Sequence, residues 1–128
     1  MCIVGTTPIK TSRGNVKGYK VTRTNRRALF RDPYTGNEIT YNQRPLPQSS
    51  PPAVDFEHYG HCIFGDKKVA EEYSEGLMAG RNIETEIHRV TIPKGSEYQR
   101  GHIESYPNCF RIVGTGLPAI RTQRYEFI

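Results

Sequence analysis

The chain has 128 residues and a net charge of +5, so it has room for one domain, residues 1–128, and not for a second full core. Three widely spaced cysteines are not typical of a secreted disulfide framework, and the chain opens without an apolar stretch of signal-peptide length. No run approaches the roughly 20 apolar residues of a membrane span, so we expect no membrane contact and a cytoplasmic location, in a bacterium or in a virus-infected cell.

The beginning of the chain predicts a β-meander. Short strand-forming stretches alternate there with turns rich in Gly, Pro, Asn and Asp. The strands are expected at 2–7, 16–23, 28–31 and 38–41. A period of two places Tyr19, Val21 and Arg23 on one face of the second strand and Lys20 on the other. Residues 43–55 then contain four prolines and two serines, which predicts a loop, either a flap over a site or a connector.

The centre of the chain predicts a strand followed by the main helix. The strand is expected at 61–64, and Asp66 offers a side-chain oxygen as the N-cap of a helix at 67–80. Spacings of three and four residues give this helix one apolar stripe. The stripe consists of Val69, Ala70, Tyr73 and Leu77. We expect Gly76 or Gly80 to end the helix.

The remaining residues predict more strands. After the helix, strands are expected at 82–95, 110–113 and 119–128, with a polar stretch at 96–108 and a turn at 114–118. Runs of strands with a single helix indicate an α+β fold, in which an antiparallel β-sheet carries one main helix packed on one face.

Basic residues near two predicted strands favour an anionic ligand. Arg23, Arg26 and Arg27 flank the first hairpin, while Arg121 and Arg124 lie in the last strand beside Tyr125. Arginine with tyrosine can clamp a phosphate and stack on a base. A solvated basic face is the alternative for any one of these residues.

Three other chemistries have weaker support in the sequence. Cys2 becomes an N-terminal thiol nucleophile if Met1 is removed, and N-terminal-nucleophile glutamine amidotransferases begin similarly, but Ile3 replaces their glycine. Histidines and a cysteine cluster at 58–62 without the paired spacing of a zinc site, so we expect no metal and no cofactor. The glycines at 114–116 precede no Gly-Lys-Ser/Thr helix, so they predict a turn and not a phosphate loop.

Two stretches resemble small proteins of bacteriophages. One is Gly18-Tyr19-Lys20-Val21-Thr22-Arg23 with Asp32-Pro33-Tyr34-Thr35-Gly36 and Tyr41. The other is Tyr59-Gly60-His61-Cys62-Ile63-Phe64 with Ala70, Tyr73, Thr91-Ile92-Pro93-Lys94-Gly95 and Tyr98. This layout resembles the anti-Thoeris sponges, which assemble into oligomers and sequester cyclic ADP-ribose signals made by bacterial TIR enzymes. The resemblance implies ligand binding without chemistry, in the cytoplasm of the host cell.

The second stretch is also similar to the centre of ADP-ribosyltransferases, where a strand leads to a helix ending in Tyr. That resemblance implies that Arg23 binds NAD and that Glu104 or Glu126 orients the ribose. The usual Ser-Thr-Ser or His-Tyr-Glu sets are absent.

We therefore expect a phage-type anti-defence binding protein that sequesters a small anionic cyclic nucleotide or ADP-ribose-type signal as a homo-oligomer. The alternatives are an ADP-ribosyltransferase-like or N-terminal-Cys enzyme and a protein-binding inhibitor of a host defence enzyme; no nucleic-acid motif is present. The expected ligand-binding residues are Lys20, Arg23, Arg26, Arg27, Tyr34, His61, Tyr73, Arg121, Arg124 and Tyr125.

Overall fold

The computed structural model describes residues 3–14, 16–29, 36–38, 40, 61–104 and 113–128, and within these ranges it contains eight strands and one α-helix. The strands are β1 (Ile3–Gly5), β2 (Lys10–Thr11), β3 (Val16–Arg23), β4 (His61–Ile63), β5 (Thr85–Ile92), β6 (Glu97–Ile103), β7 (Pro118–Thr122) and β8 (Glu126–Phe127). The helix α1 spans Lys67–Arg81, and a 3-10 turn at Thr24–Arg26 follows β3. The predicted loop at 43–55 lies outside the described residues.

The strands form two antiparallel sheets. In the first sheet, β1 and β2 both pair with one side of β6, and β7 and β4 follow on its other side. The second sheet has the order β3, β5, β8. Backbone hydrogen bonds between Tyr19 and Phe64, of 2.7 and 2.8 Å, join β3 to the end of β4 and so connect the sheets. The α+β class with antiparallel strands is confirmed.

Helix α1 packs on the face of the second sheet that carries Val21 and Ile87. Its N-cap is Asp66, as predicted, and the Asp66 side chain accepts a hydrogen bond of 2.9 Å from the Lys68 amide. Three residues of the predicted stripe, Ala70, Tyr73 and Leu77, are fully buried there. None of the described helical residues forms a segment long and apolar enough to cross a membrane.

The predicted end of the helix is wrong. The helix continues through both glycines and ends at Asn82, whose left-handed backbone (φ 53°) lets its amide donate to the carbonyls of Leu77 and Met78. Gly76 has a packing role instead, because a Cβ at this position would lie only 2.8 Å from a methyl group of Val113.

The predicted pairing of the first strands in a meander is wrong, because β1 and β2 pair with β6 while β3 pairs with β5. Among the described residues of the expected strand at 28–31, Ala28 and Leu29 are buried without strand pairing. In the expected strand at 38–41, the described residue Thr40 forms an isolated bridge with Arg27, and the remaining residues 30, 31, 39 and 41 of the two strands lie outside the described residues. The long strand expected at 82–95 is present but shorter, and it forms β5 (Thr85–Ile92).

The second half of the chain contains a strand, β6, that the sequence did not predict because its composition is polar. β6 occupies much of the expected polar stretch, and Gly101 is essential there because a Cβ would collide with the carbonyl oxygen of Val4 in β1. The expected strand at 119–128 is two strands in different sheets, separated by a bend at 123–125. The turn around Gly114 is confirmed, while residues 110–112 of the expected strand at 110–113 lie outside the described residues.

Two apolar clusters stabilise this arrangement. The first lies under α1, and the second lies between the sheets, where Ile63 and Ile120 meet Val90 and Ile92. Tyr125, just before β8, and Phe127, within β8, extend the second cluster, and Val16 and Tyr98 pack against its margin. The residues at that margin also position the candidate site.

Candidate functional site

Three of the expected ligand-binding residues meet inside the protein: Lys20, His61 and Tyr125, which we call the interior cluster. The Lys20 ammonium lies 5.4 Å from the centre of the Tyr125 ring and donates a hydrogen bond of 3.0 Å to the Cys62 carbonyl. The His61 ring meets the Tyr125 ring edge to face, with 5.2 Å between centres. Lys20 is 8% exposed and Tyr125 is fully buried, so the protein's own side chains fill this place.

The interior cluster holds its histidine neutral. Burial, together with a smaller effect of the neighbouring positive charge of Lys20, lowers the pKa of His61 to about 3. The neutral imidazole therefore fits beside a buried ammonium without charge repulsion. This arrangement explains why Lys20 and His61 can share the interior near neutral pH.

Arg26 packs against Phe127, whose ring lies beside that of Tyr125 in the interior cluster. Asn25 (φ 61°) and Arg26 (φ 56°) both adopt the left-handed region, which non-glycine residues rarely do. The Arg26 guanidinium lies 4.8 Å from the centre of the Phe127 ring, and His88 meets that ring edge to face at 5.3 Å. Burial lowers the pKa of His88, while the Glu86 carboxylate, 3.3 Å away, opposes that effect.

Two further arginines of the expected set, Arg23 and Arg27, bind groups of the chain itself. Arg23 donates from Nε to the Leu29 carbonyl at 3.3 Å, and Arg27 donates to the carbonyl and hydroxyl of Thr24. The Arg27 guanidinium also lies 3.3 Å from Glu38, an exposed pair. These contacts shape the turn after β3.

Arg121 ties three strands of the first sheet together. From β7, its guanidinium donates to the Ile3 carbonyl of β1 at 2.9 Å and to the Gln99 side chain of β6 at 2.6 Å. Arg124 is exposed in the bend between β7 and β8. Tyr73 packs in the core beside Phe64, with 5.1 Å between ring centres, and its burial raises the pKa of the phenol. Tyr34 lies outside the described residues.

The expected residues thus do not converge on one open site, but a different group of residues does. An open cleft of about 710 Å³ lies where β2, the turn after it and β6 meet. We call it the basic cleft. It is lined by Lys10, Thr11, Arg13, Gly14, Val16 and Tyr98. Its volume lies within the range of pockets that hold small organic ligands.

Strand pairing fixes the walls of the basic cleft. Lys10 in β2 lies directly opposite Tyr98 in β6, so the two side chains share one face of the sheet. Val16 and Tyr98 pack against the second apolar cluster, which holds the floor of the cleft in place. A tyrosine anchored in this way presents a rigid aromatic surface.

The basic cleft has positive charge without a counter-charge from the part of the chain that the structure describes. Lys10 and Arg13 are exposed, and no described residue forms an ion pair with either. None of the described lining residues carries a carboxylate. Ammonium and guanidinium groups beside an aromatic ring are chemically suited to a phosphate ester of a flat base.

Sequence reasoning missed this site because its parts are distant along the chain. Lys10 and Arg13 lie close to a recognisable turn, which was the available signal. Tyr98, however, fell in a segment expected to be a polar connection, and only the pairing of β2 with β6 brings it to Lys10.

Other chemistry finds little support in the described residues. Cys62 is buried, and burial raises the pKa of its thiol, which keeps it protonated and unreactive. Among the residues that the structure describes, no three His, Cys, Asp or Glu side chains come together as metal ligands. Cys2, His58 and Cys109 lie outside those residues.

The pair of residues implied by the ADP-ribosyltransferase resemblance is far apart. Arg23 pairs with Thr85 at one end of β5, and Glu126 pairs with Thr91 near the other end. Thr85 and Thr91 are six positions apart on β5, so their Cα atoms are about 20 Å apart. Glu104 follows β6 in the first sheet, where its carboxylate contacts His102 at 2.9 Å.

Comparisons of the chain with protein-family models, with curated proteins and with solved structures found no match.

Proposed function

We propose that this protein binds a small anionic ligand of the nucleotide class in the basic cleft and releases it chemically unchanged. The observation that carries the proposal is the pair of exposed cations, Lys10 and Arg13, which flank the anchored ring of Tyr98 without a nearby carboxylate partner in the described chain. The cations favour phosphate groups, and the ring offers a stacking surface for a base.

The composition of the basic cleft supports binding over catalysis. Its described lining has no His, Cys, Asp or Glu, the groups that most often serve as general base or nucleophile. The separation of Arg23 from Glu126 argues in the same direction.

The specific form of the proposal is a sponge. The sequence resemblance to phage proteins supports sequestration of a cyclic nucleotide or ADP-ribose-type signal, which would make the protein an inhibitor of a host defence system. We include self-association in this proposal, since Val4 and Ile9 expose 36% and 42% of their surfaces close to the outer strands of the first sheet. Light scattering at micromolar concentration tests that part, and a monomer contradicts it.

The experiment for ligand binding is thermal melting against cyclic di- and trinucleotides, cyclic ADP-ribose isomers, NAD, ADP-ribose and ADP. A ligand of the native state raises the midpoint, and mass spectrometry of the ligand recovered after denaturation shows whether it is intact. Recovery of a cleaved ligand contradicts the proposal in favour of an enzyme. No shift with any of them contradicts it in favour of a protein partner.

A matched pair of variants locates the site. The double substitution Lys10→Ala with Arg13→Ala is expected to abolish the shift. The control, Lys67→Ala with Lys68→Ala, removes the same charge from exposed positions in the first turn of α1 and is expected to retain it. Equal loss of binding in both variants places the effect in overall charge and not in the basic cleft.

A further inference from the structure

The basic cleft has two cationic ends, and this division limits what it can bind. The first end is the cross-strand pair of Lys10 and Tyr98. Directly opposed residues on one face of an antiparallel pair have their Cβ atoms about 5 Å apart. An anionic group held by Lys10 therefore lies beside the aromatic ring.

The second end is formed by two turns that hydrogen bonds hold together. The Ser12 amide donates to the Ser96 carbonyl, and the Gly95 amide donates to the Ser12 carbonyl, both at 2.8 Å. Ser12 and Ser96 are almost fully buried, at 3% and 5% exposure, so this connection is part of the interior.

Two cations flank that connection: Arg13, which lines the basic cleft, and Lys94, which lies outside its lining. Arg13 directly follows Ser12, and Lys94 directly precedes Gly95, so the two cations lie on adjoining turns. Both are exposed, and neither forms an ion pair with a described residue. Glu97 is the acidic residue of β6, but it pairs opposite Thr11 and so lies on the other face of the sheet from Lys10 and Tyr98.

The backbone sets the distance between the ends. Arg13 lies three positions after Lys10, which limits the separation of their Cα atoms to about 10 Å. Gly14 then turns the chain towards β3 with φ 129°, a conformation that residues with a side chain rarely adopt. Both ends are therefore within reach of one small molecule.

We infer that the ligand of the basic cleft carries at least two phosphate groups, as a nucleoside diphosphate or dinucleotide does, with one at Lys10 and Tyr98 and the other at Arg13 and Lys94. This inference rests on the proposed function. A phosphate monoester carries a charge of about −1.5 to −2 at neutral pH, which leaves one of the three cations unbalanced. A second phosphate group supplies the missing negative charge where Arg13 and Lys94 adjoin.

The test compares probes that differ by one phosphate. Isothermal titration of the whole protein measures the affinity for AMP and ADP, and for orthophosphate and pyrophosphate as probes without a base. We expect ADP to bind about tenfold more tightly than AMP, since a charge-assisted contact contributes about this ratio, and pyrophosphate to exceed orthophosphate similarly.

The variant Lys94→Ala identifies the second end. It is expected to reduce ADP affinity about tenfold and to change AMP affinity by less than about twofold, whereas the control Lys67→Ala changes neither. Lys94 is an exposed turn residue, and the wild-type ratios do not depend on how its variant folds.

The outcomes separate the inference from the proposed function. Equal affinity of the wild-type protein for AMP and ADP, or equal weakening of both by Lys94→Ala, overturns the inference and leaves the binding of anions standing. Failure of the wild-type protein to bind any of the four probes overturns the inference, whereas the proposed function falls only if the melting panel also shows no shift.

Discussion

His61 gives the protein a stability that depends on pH between neutrality and mild acid. Burial and Lys20 lower the pKa of His61 from its ordinary value of 6.5 to about 3 in the folded protein. Between these two pKa values the unfolded chain binds a proton that the folded protein does not. The free energy of unfolding therefore loses nothing to His61 above about pH 6.5 and decreases as the pH is lowered below that value. At about pH 5 the loss amounts to roughly 2 kcal/mol, since each pH unit below 6.5 costs about 1.4 kcal/mol.

The assay is urea unfolding at several pH values between about 7.5 and 5, a range above the usual pKa of most carboxyl groups. The variant His61→Phe keeps a ring against Tyr125 but cannot take up a proton, so its free energy of unfolding should decline less, by about 2 kcal/mol at the acid end. His102→Gln, at the surface of β6, is the control and should follow the wild-type protein closely. A His61→Phe variant with the same pH dependence as the wild-type protein would refute the buried, neutral state of this histidine.

Three other substitutions or reactions test the packing. Arg121→Leu removes one buried and one partly buried hydrogen bond and is expected to destabilise the protein by about 2–4 kcal/mol in urea unfolding, whereas the exposed Arg124→Leu should change stability by less than about 0.5 kcal/mol. Gly101→Ala places a methyl group in the main chain of β1 and should cost about 3 kcal/mol or more in the same assay; Gly65→Ala, which meets only ordinary contacts, should cost clearly less. Cys62 should resist iodoacetamide in the native protein and react after unfolding, as peptide mapping by mass spectrometry can show, and rapid native alkylation would contradict its raised pKa.

The helix was predictable from sequence because its determinants are local. Asp66 lies beside the amide that it caps, and the buried residues of α1 recur at helical spacing within a few turns. The stop signal failed because a glycine has two uses: Gly76 gives Val113 room to approach, and Asn82 supplies the left-handed residue that ends the helix. Sequence spacing does not distinguish these uses without knowledge of the neighbouring segment.

Strand order was much less predictable, because it depends on partners far along the chain. β6 contains charged and polar residues with a glycine in the middle, a composition typical of a connection. In the structure its Gly101 permits the close approach of β1, while Gln99 accepts a hydrogen bond from Arg121. The same strand supplies Tyr98, so failing to recognise it also concealed the basic cleft.

Whether a basic residue becomes part of the interior or stays exposed depends on whether the fold places a hydrogen-bond acceptor near it. Lys20, Arg23 and Arg121 donate to main-chain carbonyl groups that strand pairing leaves in reach, and their positive charges thereby become part of the interior or of its boundary. Lys10 and Arg13 meet no such acceptor and no carboxylate among the described residues. Like charges held near one another without a counter-charge repel, which disfavours the compact state slightly. An anionic ligand removes that repulsion, so these cations support the proposed capture of a small anion.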